Sequence, residues 1–447
     1  MENMSRTIKS ILLLIIIFIS ASGIPLYADT INWHFDFELS KPDILSKNES
    51  ILIDSNVNII SPSQVDLELI VKTKEKNLKL NLNQTNPVSL TLYFKDEEIM
   101  TIQPENVIIS VSDTQALVIQ IKLPQDLLNI PNGDYELEAR LNIENLEGEN
   151  LSERVSISYQ RDMNYIKPLE SITRNETALT LYFPDNNANY LIPITRVIPY
   201  TKTPLRSTVD NLKFGPKESM GLLMGSPIPE IEGLSLNRRI ANVYLPKDIG
   251  IYNDYSSTAR LALDSFLYSL TAIQEVEGVQ FYFDNKILTD GFHGRLVDKP
   301  LNRPKTAKYY TGYITDTDQC LLLPISTTDI VGSTPTVDIL FDGLKYSSQL
   351  LPYNYYLQPT VPEDLILLDY SADGTNLKLY MNEAFITAYS DLPDYRKLMV
   401  DSIIYTFTSL DDISSVEFFV EGFTSTESQG IPLGQPISRP AYINPES

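Results

Sequence analysis

The chain repeats itself, and that limits what it can fold into. Residues 259–271, ARLALDSFLYSLT, align with 396–408, RKLMVDSIIYTFT, at an offset of 137. Leu261 falls on Leu398, Asp264 on Asp401, Ser265 on Ser402, Tyr268 on Tyr405 and Thr271 on Thr408. At the same offset Val279 meets Val416 and Phe281 meets Phe418. Upstream the offset changes: Val209 to Gly215 matches Val337 to Gly343 at 128, and Pro193 matches Pro324 at 131. Offsets that change between elements mean loop insertions, as expected when a duplicated domain diverges. A period of roughly 130 residues is far longer than a solenoid unit, so the two copies are read as domains in tandem.

Each copy follows one local plan. A strand (Leu179 to Phe183; Lys308 to Ile314) turns through polar residues into a second (Tyr190 to Val197; Cys320 to Ile325). A short helix follows, Ser207 to Phe214 and Thr336 to Phe341, closed near Gly215 and Gly343. Next come hairpin strands, Ile240 to Leu245 and Leu377 to Met381, and then the longest helix. Its apolar positions, Leu261, Leu263, Phe266, Leu267 and Leu270, recur at helical spacing, and copy two repeats them as Leu398, Val400, Ile403, Ile404 and Phe407. A final strand, Gly278 to Phe283 and Ser415 to Val420, completes the sheet. The order predicts helices packed on one face of a small mixed sheet.

The string Leu181-Tyr182-Phe183-Pro184-Asp185, the helix end Leu212 to Pro216, the strand Val243 to Leu245 and the passage SFLYSLTAIQEVEGVQFYFDNK together resemble the GerMN domain of spore-germination and sporulation proteins. The resemblance covers about 175–290; for 308–423 it rests on the internal alignment, since copy two has Leu344 where copy one has Pro216. It implies two small α/β domains, at 175–300 and 305–425, similar to the ring-building modules of sporulation complexes. It also implies export in a spore-forming bacterium and a role in assembling machinery between mother cell and forespore. Familiar family members are lipoproteins, whereas no cysteine follows the apolar start of this chain.

That start reads as an export signal. Arg6 and Lys9 precede the apolar run Ile11 to Ile19, and no charge occurs from Ser10 to Ala28. As a helix those residues would rise about 28 Å, so 1–28 is either a cleaved signal peptide or a retained membrane anchor. Both place the rest of the chain outside the cytoplasm. Residues 30–165 carry short β-rich runs, at Asn32 to Leu39, Val65 to Val71, Val88 to Phe94, Ala116 to Lys122 and Tyr135 to Ile143. They predict an immunoglobulin-like β-sandwich. Gly, Pro and Ser enrich Gly422 to Pro445, and 426–447 is expected to be a tail or strap.

The chemistry is bounded by what is scarce. With one cysteine, Cys320, and two histidines, His34 and His293, the chain holds neither a Cys/His zinc set nor an intrachain disulfide. Both histidines lie in strand-like or turn-like contexts, and Cys320 in a strand, where a buried small residue is the plain reading. Asp185 to Asn189 begins like a calcium loop, but Tyr190 stands where a glycine is needed, so a hairpin turn is expected. No nucleotide, zincin or hydrolase-elbow motif occurs, so no catalytic residue, metal or cofactor is assigned. A net charge of −23 disfavours nucleic acid and anionic lipid as partners and leaves membrane attachment to an uncleaved amino terminus. The 26 tyrosines are numerous; Tyr353, Tyr355 and Tyr356 in one loop and Tyr309 and Tyr310 opening copy two are candidate interface residues. The expectation is a non-enzymatic exported envelope protein that supports complex assembly in sporulation or germination, with envelope or sporulation-complex proteins, or further copies of itself, as partners. The alternative is a peptidoglycan- or glycan-binding module or a carboxylate-dependent wall hydrolase.

Overall fold

The computed structural model describes residues 51–61, 64–73, 82–83, 85–94, 96–104, 107–111, 117–122, 133–143, 151–159, 163–287, 289–326, 336–345 and 356–446. The amino-terminal run 1–28, His34, the strand expected at 32–39, Tyr353 and Tyr355 lie outside the described residues.

The first region is two antiparallel sheets. Strands β1 (Ile51–Ser61), β2 (Gln64–Thr73), β5 (Val107–Val111) and β6 (Leu117–Lys122) form one in the order β1-β2-β6-β5. Strands β3 (Val88–Phe94), β4 (Glu97–Ile102), β7 (Gly133–Leu141) and β8 (Leu151–Tyr159) form the other, β4-β3-β7-β8. Alternation explains the pairing: Val88, Leu90, Leu92 and Phe94 point one way along β3. They share one core with Leu67, Leu69 and Val71 of β2, Ile119 and Ile121 of β6, and Tyr135, Leu137 and Ala139 of β7. The expected strands at 65–71, 88–94, 116–122 and 135–143 fall on β2, β3, β6 and β7.

After the short strand β9 (Asn164–Tyr165), copy one begins with the hairpin β10 (Glu176–Pro184) and β11 (Leu191–Pro199), followed by helix α1 (Pro204–Phe214). Then come β12 (Gly233–Asn237), β13 (Ile240–Leu245), the single turn α2 (Ile251–Asp254), the long helix α3 (Ser256–Leu270) and β14 (Gly278–Phe283). A two-residue hairpin, β15 (Asp290–Gly291) and β16 (Arg295–Leu296), and the short β17 (Leu301–Asn302) end it. The main sheet has the order β12-β13-β14-β17, with β13 and β14 parallel because α3 carries the chain back over the sheet.

Copy two has the same parts. The hairpin β18 (Lys308–Ile314) and β19 (Gln319–Ser326) leads to α4 (Val337–Asp342) and β20 (Leu357–Gln358). Strands β21 (Leu367–Asp373) and β22 (Asn376–Met381), the turn α5 (Ala384–Thr387), helix α6 (Pro393–Phe407), β23 (Ser415–Val420), the tiny hairpin β24 (Glu427–Ser428) and β25 (Ile431–Pro432), and β26 (Ile437–Ser438) follow. The sheet order β21-β22-β23-β26 reproduces that of copy one.

This arrangement adds to one expectation and corrects another. Each long helix covers one face of its main sheet, and its hairpin lies across the other side of the helix as a third layer. That is why α6 is buried nearly all round, including Ser402 and Thr406, rather than along one stripe. The second concerns 426–447. Residues 427–438 are not a tail; β24, β25 and β26 stand where β15, β16 and β17 stand in copy one, so copy two runs past 425 to Ser438. Only 440–446 act as a strap.

The helix-closing glycines differ. Gly215 ends α1 at φ 84, and a Cβ there would lie 2.6 Å from the Gly225 carbonyl oxygen. Gly343 has an ordinary φ of −62; its small size instead serves the ring of Tyr309, which a Cβ would meet at 3.0 Å.

Candidate interaction surface

The two copies are joined by a shared core and by two straps. Tyr313, Leu321 and Leu323 of the second hairpin belong to the same apolar cluster as Leu181, Ile192 and Phe266 of copy one. The turns of the hairpins also meet. Asp185, 1% exposed, accepts from the backbone of Asn189 and Tyr190 through Oδ1 and from the Tyr313 hydroxyl through Oδ2 at 3.1 Å. Asp185 is thus a turn-former and a bridge between copies, as the hairpin reading required; among the described residues no cluster of ligands could hold a metal ion. Asn186 bonds Asp316, and a Cβ on Gly221 would strike Thr317 Oγ1 at 2.7 Å, so close approach demands glycine there.

The straps exchange partners. Upstream of copy one, β9 pairs in parallel with β19 of copy two. At the carboxyl end, Pro445 bridges in parallel to Thr195 of β11 in copy one. Asn444, fully buried, accepts from the Leu322 N–H and donates to the carbonyls of Leu322 and Pro193, all at 2.8 Å. Beside it Arg196 holds Glu446 through Nε and Nη2, the latter at 2.7 Å, with the Glu446 side chain wholly buried.

The sequence-predicted tyrosines are placed differently from expectation. Tyr309 and Tyr310 are 3% and 8% exposed and present no surface. Strand β18 is covered on both faces, so adjacent residues enter different cores: Tyr309 packs with Leu340 and Phe341, Tyr310 with Tyr165 and Tyr405. Burial pushes both hydroxyls above the ordinary tyrosine range. Tyr356 is half-buried and stacked on Tyr313, ring centroids 5.8 Å apart. Cys320 is fully buried, as read. His293 sits in a left-handed turn at φ 59, its Nδ1 against the Asn253 carbonyl, a structural contact with no carboxylate partner among the described residues.

Each main sheet turns a second face away from its core. The core side of β13 and β14 carries Ala241, Val243, Leu245, Val279, Phe281 and Phe283. The alternate positions face away, and there Tyr244 and Tyr282 stack at 4.8 Å and 19°. Copy two has the counterpart pair Tyr380 and Phe419, at 5.1 Å and 19°. Beside it β21 is an edge strand, and Ile366, Leu368 and Tyr370 are 50%, 48% and 37% exposed. In copy one Leu236 of the edge strand β12 is 47% exposed. A sheet edge offers unpaired backbone groups to another chain, and aromatic and aliphatic groups beside it supply apolar contact. The signal for the stacked pairs was in the sequence: each aromatic alternates with core positions and recurs at an offset of 136 or 137.

The fold and its surfaces define a tandem α+β protein, mostly strands with few helices, built from one duplicated three-layer domain behind a β-rich region. Residues 180–289 and 335–426 match the family model described as "Germane: Sporulation and spore germination". Those two stretches are GerMN domains in tandem. Among solved structures it is similar to the tandem GerMN domains of the sporulation protein GerM from Bacillus subtilis, with 16% identity over 61% of this chain and 100% of that one and a TM-score of 0.47. It is also similar to a putative lipoprotein from Clostridium perfringens (18% identity, 30% and 93% covered, TM-score 0.20) and to the first GerMN domain of that GerM (18%, 31% and 98%, 0.23). No curated protein matches the chain significantly. Among the described residues no helix is long and apolar enough to cross a membrane.

Proposed function

We propose that this protein is a non-enzymatic, exported envelope protein that supports assembly of a protein complex during sporulation or spore germination. The match of both copies to the sporulation and spore germination family model supports the process. The observation that carries the mechanism is the open edge of copy two, where Ile366, Leu368 and Tyr370 lie exposed on and beside β21. Another protein chain, or another copy, adds a strand there and covers the apolar side chains. The basic and apolar start of the sequence, Arg6 to Ile19, supports export. The amino-terminal pair of sheets is, in this reading, an immunoglobulin-like spacer or docking module.

The test uses the burial of Cys320, which leaves an introduced thiol as the reactive one. Leu368→Cys, treated with a thiol-reactive cross-linker in sporulating cells, is expected to capture an envelope protein or a second copy. Arg206→Cys, at an exposed position of α1, is the control and captures neither. Absence of any adduct at 368, with the purified protein sedimenting with peptidoglycan instead, would overturn the reading in favour of the wall-binding alternative.

A further inference from the structure

The junction between the copies holds two cations without a carboxylate. Arg303, just after β17, and Lys308, the first residue of β18, are both half-buried. The Arg303 guanidinium lies 5.2 Å from the ring centroids of both Tyr182 and Tyr268, and the Lys308 ammonium lies 5.4 Å from that of Tyr268. Arg303 gives Nη2 to the Tyr182 hydroxyl. Its Nε and Nη1, and Nζ of Lys308, have no acceptor among the described residues. The unpartnered side-chain atoms shut off from solvent belong to Thr195, Ser265, Gln319 and Arg396, so these three nitrogens keep accessible surface.

The chain carries 58 Asp and Glu against 35 Lys and Arg, yet among the described residues none pairs with either cation. Lys308 feels burial and the charge of Arg303, which together bring its pKa down to about 8. Burial aside, Arg303 feels the hydroxyls of Tyr182, Tyr310 and Tyr268 most strongly. Tyr310 faces a third cation, Arg439, while Asp401 and Glu170 bear on Tyr405 and not on Lys308. Two like charges drawn out of water against one ring are costly, and the ring face offsets only part of that cost. Where the chain buries Arg196, by contrast, it supplies Glu446.

We propose that this junction binds a phosphate group as a dianion, held between the Lys308 ammonium and the Arg303 guanidinium. Two positive charges match inorganic phosphate or a phosphate monoester, whereas a carboxylate or a phosphodiester answers only one of them. At the offset of 128 that sets Tyr310 on Tyr182, copy one carries Thr180 in place of Lys308. The two-cation arrangement therefore belongs to the junction and not to the plan of each domain. Because Arg303 closes copy one and Lys308 opens copy two, a bound phosphate fastens the copies to each other. The site is separate from the β21 edge and does not depend on the role given to that edge.

The experiment is calorimetric titration of the full chain, near neutral pH in a phosphate-free buffer of low ionic strength, with inorganic phosphate, glycerol 3-phosphate, dimethyl phosphate and acetate. One site per chain is expected for inorganic phosphate, for glycerol 3-phosphate, or for both, and which of them binds identifies the source. The two monoanions, dimethyl phosphate and acetate, should bind at least about tenfold more weakly. Lys308→Met removes the charge and keeps an unbranched stem; it should weaken the dianion at least about tenfold and abolish the rise in melting temperature that the dianion gives the wild type. Lys305→Met, at an exposed position of the same segment, should bind as the wild type does. No saturable binding of either dianion up to about 10 mM, equal binding of dianions and monoanions, or undiminished binding by Lys308→Met would overturn the proposal. The comparison of dianion with monoanion on the wild-type chain stands even if the variant misfolds.

Discussion

The backbone N–H of Tyr182 donates to Ser269 Oγ at 2.9 Å, fastening the first hairpin to the long helix of copy one. Copy two makes the same bond, from the N–H of Tyr310 to Thr406 Oγ1, also at 2.9 Å. The surroundings are duplicated as well. Tyr182 packs on Tyr268 and Tyr310 on Tyr405, each at 5.3 Å, while Arg303 lies over the first pair and Arg439 over Tyr405. Opposite these tyrosines stand Pro193 and Pro324. An outward N–H on the tyrosine marks a position where the partner strand needs no donor toward it, so proline is tolerated within the hairpin.

Removing either acceptor leaves a buried backbone N–H unpaired. Ser269→Ala and Thr406→Val are each expected to lower unfolding free energy by about 1–3 kcal/mol in urea titrations, whereas Thr406→Ser, which keeps the oxygen, should lose about 1 kcal/mol or less. Equal losses for Val and Ser at 406 would show that packing, not the hydrogen bond, is what matters.

The carboxyl strap should couple the two copies. Glu446→Ala strands the Arg196 charge in the interior and is expected to cost about 3–5 kcal/mol. Asn444→Ala removes one acceptor and two donated bonds between β11 and β19, at a left-handed φ of 46 that asparagine tolerates better than alanine. Hydrogen exchange should then rise at Leu322 and Thr195, whose N–H groups are tied to Asn444. Unchanged exchange at both would show that the strap does not hold them.

Lys308 gives the protein an alkaline signature. Burial foremost, then Arg303, pushes its pKa from 10.5 down to about 8. Below that value both folded and unfolded chains carry the proton and the penalty for the charge is fully felt. Between about 8 and 10.5 the unfolded chain binds more protons, so this site's contribution makes stability rise with pH. Lys308→Met should therefore be more stable than wild type at pH 7, on the order of 1–3 kcal/mol, with the gap closing toward pH 10.5 in paired melts. A gap that does not change with pH would contradict this.

Asp401 behaves in the opposite sense. Burial raises its pKa despite Lys397 and the Tyr165 hydroxyl, so the folded state resists its ionisation and its contribution declines as pH rises through the raised value. Asp401→Asn keeps an acceptor for Tyr165, 2.9 Å away, and should match or exceed wild-type stability at pH 7. Asp401→Ala leaves that buried hydroxyl unpaired and should lose about 1–3 kcal/mol. Thermal melts of the two variants at pH 4 and 7 separate the charge from the hydrogen bond.

Much of the duplicated fold was legible because its strands and helices follow period and spacing. The strands at 240–245, 278–283, 308–314 and 415–420 fall where alternation placed them. The layering was not legible, since an apolar stripe on 261–270 says that the helix is buried but not that a hairpin lies across its other side. Arg303 and Arg439 recur at 136, and β17 and β26 precede them, but their segments are too short and polar to announce strands. The tyrosines misled for a related reason. A tyrosine in a strand reads the same whether its ring meets solvent or, like Tyr309 and Tyr310, a helix.

The central claim, that this chain works in sporulation or germination through association at its GerMN pair, is tested most directly by counting heat-resistant and germinating spores of the source organism after the gene is deleted and restored. The wild-type gene should restore a reduced count, and a gene encoding Leu368→Lys with Tyr370→Lys, at equal protein abundance, should not. A deletion strain with the parent's count at both stages would contradict the claim.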